Sequence, residues 1–154
     1  GSMYDKDGNL SNWWTESDLA NFEERTKILG DQFDKFVVLD DVHANGSLTM
    51  GENIADLGGL NVAYTAFLKA KEGKVVKDID GYTAEQRFYI AYAHVWGQNI
   101  RDAEMLRLTK EDVHSLGRFR VNGPLPNIQE FHDAFGIKEG DPMFIPVEER
   151  AIIW

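Results

Sequence analysis

The chain has 154 residues, 43% of them hydrophobic and 12% aromatic, which suits one globular domain with its own core and excludes a disordered chain. Its formal net charge of −10, from 26 acidic against 16 basic residues, argues against nucleic acid or an anionic membrane surface as partner. There is no cysteine, so disulfide frameworks and thiolate metal sites are excluded, and any metal must use Asp, Glu and the four histidines His43, His94, His114 and His132.

Residues 1–3, GSM, read as a cloning remnant, leaving 4–154 as natural chain whose true beginning is expected upstream. No run is long and apolar enough to span a membrane, and no signal peptide is visible. Residues 4–14 form a turn-rich lead-in. Asp5, Asp7, Asn9 and Glu16 follow the spacing of a calcium loop, but Leu10 stands where that loop needs glycine, so a plain turn is expected. Thr15 then caps a first helix, with Asp18 in place of the usual Glu or Gln of a capping box. Leu19, Phe22, Thr26, Leu29, Phe33 and Phe36 recur every three or four residues and predict a buried stripe.

The period breaks in FVVLDDVHANGSLT, residues 36–49, where a short extended or irregular connection is expected. A second helix should begin near Glu52 and end at Gly73, followed by a polar loop over 74–82. Thr83 with Gln86 makes a capping box for a third helix over 84–100, whose apolar residues on most faces predict a central, buried element. Residues 108–127 read as loop. Asn127 with Glu130 should cap a short helix closed by Gly136, and the apolar tail over 141–154 should dock on the body. The expected fold is mainly α, with irregular loops and little or no sheet.

The stretch GENIADLGGL, 51–60, poses the chemical question. Glu52 and Asp56 share one helix face, and near a helix N-terminus the dipole favours their ionised forms. They could hold a metal together, or one could bind metal while the other orients a histidine ligand; a solvated helix start is the plainer alternative. Gly58 and Gly59 each cost about 0.5–1 kcal/mol relative to alanine inside a helix, so close packing or a crowded site is expected to compensate. His114, followed by Arg118 and Arg120, suits polarising a carbonyl or binding an oxyanion, against the alternative of a surface histidine near salt-bridged arginines. His94, inside the third helix beside Trp96, reads as a satisfied core histidine, and His43 and His132 have no spacing partner. No HExxH, nucleophile triad or phosphate loop occurs.

Together, NLSNWWT, GENIADLGGLNVAY, VW, DVHSLGRFRVNGPLPN and a terminal Trp154, in that order, closely resemble the C-terminal end of the neprilysin/endothelin-converting-enzyme family of zinc endopeptidases. The resemblance covers essentially the whole chain after residue 3. It implies the helical C-terminal part of a zincin-type catalytic domain, zinc as cofactor of the complete enzyme and peptides as substrates. By position, it implies that Glu52 is the third zinc ligand and that Asp56 orients a zinc-bound histidine. It likewise implies that His114 stabilises the tetrahedral oxyanion, that Arg120 hydrogen-bonds a substrate carbonyl, and that Val95 and Trp96 line the hydrophobic pocket for the residue after the scissile bond. The glycine pair would let the neighbouring zinc helix approach.

The departures are the family's HExxH, which supplies two ligands and the general base, and its substrate-holding strand; both would lie upstream in a missing N-terminal part of the same chain. Leu116 stands where many relatives have Pro, and the cysteine that neighbours the terminal Trp in animal relatives is absent, which suits a bacterial origin. The expected function is therefore one segment of a peptidase, inactive and weak in zinc binding by itself. A non-catalytic interaction module from a degenerate homologue is the alternative, and a glycosidase using Glu52 and Asp56 a more distant one. By family analogy the parent is expected in the cell envelope, periplasm or extracellular space.

Overall fold

The computed structural model describes residues 3–153, so Trp154, which carries part of the resemblance, and the first two residues of the expected cloning remnant lie outside the described residues. The order is α1 (Glu16–Phe33), β1 (Val37–Leu39), β2 (Val42–His43), α2 (Met50–Lys71), α3 (Ala84–Val95), α4 (Asp102–Glu111), α5 (Gly117–Asn122) and α6 (Gln129–Phe135), with 3-10 turns at Leu125–Asn127 and Val147–Glu149. The fold is mainly helical, as expected, and its sheet is the antiparallel β1–β2 hairpin turned through Asp40 in the left-handed region. No helix among the described residues is long and apolar enough to cross a membrane.

Local chemistry accounts for most element ends. The Thr15 hydroxyl accepts the Asp18 amide at 3.2 Å to start α1, and Thr83 and Gln86 complete a reciprocal capping box at α3. Gly136 closes α6 at φ +64°. The lead-in is a tight turn in which the Asp5 carboxylate accepts the amides of Asp7 and Asn9 at 2.9 Å, with no metal-binding cluster among the described residues.

Leu29 and Phe33 of α1, Leu57, Leu60 and Tyr64 of α2, Phe119 of α5 and Phe131 of α6 meet in one core. Phe36 stacks on Phe119 at 4.7 Å, and Tyr64, Tyr89 and Phe131 form an aromatic chain joining α2, α3 and α6 at 5.4 and 5.3 Å. Gly46 is required because a β-carbon there would collide with the Gly30 carbonyl of α1.

Four expectations need correction. The third helix ends at Val95, not at residue 100, and it is not central: Ala84 and Tyr89 are its buried residues, while Ile90 and Val95 are 37% and 73% exposed. One face, with Phe88, Tyr89 and Tyr92, packs on the core, and the opposite one does not. His94, taken for a core histidine, is accordingly exposed. The segment read as loop from residue 108 holds the end of α4 and all of α5; two glycines and two prolines masked helices whose stability comes from packing rather than propensity. Asn127 does not cap α6.

Asn127 is instead buried, and all its amide capacity is used. Its Oδ1 accepts from Gln32 and from the Ala151 amide at 3.0 and 2.7 Å, and its Nδ2 donates to Gln32 and to the Gly123 carbonyl at 2.9 and 3.0 Å. That residue ties α1 and the α5 turn to the docked tail, where Ala151 and Ile153 are buried as the apolar pattern predicts and Arg150 is buried with them. His132, given no role from sequence, bonds Pro126 O at 2.8 Å and faces Arg150 at 3.2 Å beneath that tail.

One face of α2 is open. Gly51, Ala55, Gly58 and Gly59 floor an apolar groove of about 1250 Å³, walled by Trp13, Trp14 and Phe22, and a β-carbon at Gly59 would touch nothing within 4 Å. The compensation expected for the glycine pair is therefore not found at Gly59 among the described residues.

Removing the Asn127 amide should unfold the tail first. Asn127→Ala leaves the buried Ala151 amide and Gly123 carbonyl unpaired and is expected to cost on the order of 2–4 kcal/mol in urea unfolding. A wild-type midpoint would contradict that account.

Candidate metal and substrate site

Glu52 lies in the first turn of α2 and Asp56 one turn further, on the face turned toward α5. Arg120 of α5 meets Asp56 in a two-pronged pair, Nε to Oδ2 at 2.7 Å and Nη2 to Oδ1 at 2.8 Å. The two side chains are only 13% and 11% exposed, and the guanidinium lies over the Trp96 ring with its carbon 3.9 Å from the ring centroid. The Asp56 hydrogen bonds push the Arg120 pKa up, which fixes its charge. Tyr92 of α3 donates to the Arg120 carbonyl at 2.8 Å; burial, helped by the nearby Asp56 charge, pushes this phenol up to about 12 and keeps it a donor.

His114 lies in the short turn between α4 and α5. Its Nδ1 is 2.8 Å from Asp112 Oδ1, which also accepts the His114 amide at 2.9 Å, so one carboxylate oxygen sets both backbone and ring. The other nitrogen, Nε2, faces Glu52 Oε2 at 3.3 Å, and Arg120 Nη2 is 3.9 Å from the same oxygen. Glu52, Asp56, His114, Arg120 and Trp96, spread over 69 positions of sequence, are thus brought together. Val95 is not part of this cluster of contacts; it is exposed beside it.

Close packing makes the cluster possible. Gly117 opens α5 directly against the end of α3, and a β-carbon there would lie 2.6 Å from the Trp96 carbonyl. Leu116 is buried at φ −57°, an angle proline would also adopt, and its carbonyl starts the helix. Sequence reasoning missed Asp112, although an Asp two residues before a His is a signal for an Asx-type turn. It also missed Asn53 and Ser115, buried beside the site, for which the one-dimensional pattern holds no signal.

The donors present fit one part of a metal site. Glu52 offers a half-exposed carboxylate of the hard type that zinc accepts, but among the described residues no group of three or more His, Cys, Asp or Glu could hold a metal ion. Further ligands would have to come from outside this chain.

Comparison with known proteins decides the family. Residues 1–151 match the profile of Peptidase family M13. The chain belongs to peptidase family M13. It is 38% identical over its full length to Neprilysin-11 of Caenorhabditis elegans and 36% identical to the neutral endopeptidase of Lactococcus lactis, covering 18% and 23% of those proteins. Among solved structures, it superposes on the Mycobacterium tuberculosis zinc metalloprotease Zmp1 in complex with inhibitor with a TM-score of 0.93 at 39% identity, covering all of this chain and 24% of that one. This M13 chain therefore spans about a fifth to a quarter of the length of the relatives it matches, and corresponds to their C-terminal part.

Two outcomes test the geometry. Arg120→Lys keeps the charge but not the fork, and is expected to destabilise the chain by about 1–2 kcal/mol in urea unfolding; unchanged stability would mean the pair contributes little. The hydrogen bonds from His114 hold the Asp112 carboxyl below its ordinary 3.8, so the turn's contribution is complete above that pH and is lost as pH falls through the lower folded value. In an NMR titration the His114 amide proton should therefore shift with a midpoint below 3.8; a midpoint above it would remove the clamp.

Proposed function

We propose that this M13 chain is the C-terminal segment of a zinc-dependent endopeptidase that hydrolyses oligopeptides, supplying one zinc ligand and the groups that bind substrate and stabilise charge. The observation that carries the reading is the placement of the Glu52 carboxylate 3.3 Å from the His114 ring and 3.9 Å from the Arg120 guanidinium. A structural ion pair explains Asp56 with Arg120, but it does not require a second, half-exposed carboxylate and an imidazole facing the same space.

Zinc bound there would act as a Lewis acid on the scissile carbonyl and make water a better nucleophile near neutral pH. Glu52 offers one carboxylate oxygen to it, and the remaining ligands and the general base belong to an HExxH helix upstream in the longer protein. Asp56 holds Arg120 with one acceptor direction of each oxygen and keeps others free for a ligand histidine's N–H. His114, its Nδ1 turned to Asp112 and its Nε2 on the Glu52 side, would meet the carbonyl oxygen there as negative charge develops. Arg120 presents its remaining N–H groups to a substrate carbonyl. Val95 and Trp96 offer apolar surface to the substrate side chain beyond the scissile bond, which suits the exposure of Val95. The groove along α2, floored by Gly58 and Gly59, accepts the upstream helix. By family analogy, the parent is proposed to work in the cell envelope, periplasm or extracellular space.

This chain alone is expected to show no tight one-to-one zinc binding by calorimetry, because one carboxylate does not make a stable site. In the full-length protein, Glu52→Gln should lose zinc, while His114→Ala should keep zinc and lose about 10²–10³ in kcat. Peptidase activity retained in both variants would sink the reading. An upstream sequence with a broken HExxH would favour the interaction module instead.

A further inference from the structure

Beneath the site lies a polar cluster that the proposed chemistry does not use. Thr49, Asn53 and Ser115 are 6%, 1% and 9% exposed, among the most buried polar residues of the molecule. The Ser115 hydroxyl lies 2.8 Å from Asn53 Oδ1 and 3.0 Å from Thr49 Oγ1. Asn53 Nδ2 donates to Thr49 Oγ1 at 2.9 Å, and the Thr49 hydroxyl donates to the Asn45 carbonyl at 3.0 Å. With its single proton given to Asn53 and the Thr49 proton given to Asn45, Ser115 is hydrogen-bonded to Asn53 and lies in contact with the Thr49 oxygen.

Local helix requirements do not explain it. Thr49 stands at the N-cap of α2, yet its side chain makes no capping bond. Asn is a poor helix former because its amide competes with the backbone, and a buried turn of α2 packs as well with an apolar residue. What the chain of bonds does is join α2 to the turn before α5. Asn53 follows Glu52, and Ser115 follows His114. The Ser115–Asn53 bond therefore sets the separation of the two backbones from which the Glu52 carboxylate and the His114 imidazole project. Asp112 cannot do this, because it shares the turn with His114: it fixes the ring within the turn and not the turn against α2.

We propose that Ser115, through its buried hydrogen bond to Asn53, is a positioning residue that holds the His114 imidazole at its working distance from Glu52. This rests on the reading of His114 as the group that meets developing charge on the substrate. Ser115 touches neither substrate nor metal; it acts through His114. Its truncation leaves Thr49 still paired to Asn53 and Asn45, so the helix end survives and the turn gains freedom.

The test is a double-mutant cycle in the full-length protein, with kcat, KM, zinc content and melting temperature measured for each variant. Ser115→Ala is expected to lower kcat roughly 10- to 100-fold, the effect of misplacing a reacting group by about an ångström, with KM and zinc content unchanged. Ser115→Thr, which keeps the hydroxyl, should recover most of the turnover. In a His114→Ala background, Ser115→Ala should cost nothing further, which a merely structural role would not produce. If the alanine variant fails to fold, Ser115→Cys, nearly the same size with a weak donor, takes its place in the cycle. Wild-type kcat for Ser115→Ala, or an equal loss in both backgrounds, overturns the inference alone. Wild-type kcat for His114→Ala overturns the proposed function and the inference with it.

Discussion

The guanidinium of Arg120, gripped by Asp56 and lying on Trp96, is the contact that joins the elements of the site. It ties α2 to α5 through charge-assisted bonds and α5 to the end of α3 through an aromatic face. A pair this little exposed loses hydration on both partners, so its value lies less in net stability than in fixing one arrangement. Planar, two-pronged geometry is what permits that, because it sets orientation as well as distance. Tyr92 reinforces the same point from α3 by holding the Arg120 backbone. With α2, α3 and α5 joined, the turn carrying His114 is brought next to Glu52, where the Ser115–Asn53 bond sets it.

Beyond that joint, the molecule divides into a sealed side and an open side. The sealed side is the aromatic core with the docked tail, where Asn127 and Arg150 satisfy buried backbone groups that no helix end could satisfy alone. The open side comprises the groove along α2, the exposed valines of α2 and α3, and the half-exposed Glu52. Apolar surface of this extent is uncommon on a self-sufficient monomer. It agrees with a chain that spans about a fifth to a quarter of its relatives, whose remaining length supplies ample protein to cover it.

Several expectations failed in an instructive way. The third helix has apolar residues on most faces, and periodicity reads that as burial; here Phe88, Tyr89 and Tyr92 pack on the core while Ile90 and Val95 stay exposed, so one face is covered and the other is not. Asn127 and Glu130 match a capping pattern, but the amide of Asn127 makes four bonds to three residues contributed by α1, the α5 turn and the tail, and long-range satisfaction outweighs one local cap. Residues 108–127 looked irregular because α5 is only six residues long and its single stabilising face is tertiary.

Sequence by itself determined the elements whose signals are local. These are the Thr15 and Thr83 caps, the Gly136 stop, the long amphipathic α1, and the ordered set of motifs that marks the M13 family and singles out Glu52, Asp56, His114 and Arg120. Caps, stops and periodicity act within a few residues, so one dimension suffices to read them. Tertiary structure alone decided that Asp56 clasps Arg120, that Asp112 orients His114, and that Ser115 reaches Asn53 across 62 positions. Those contacts depend on where packing brings separate segments, and the geometry of a hydrogen bond exists only once the chain has folded.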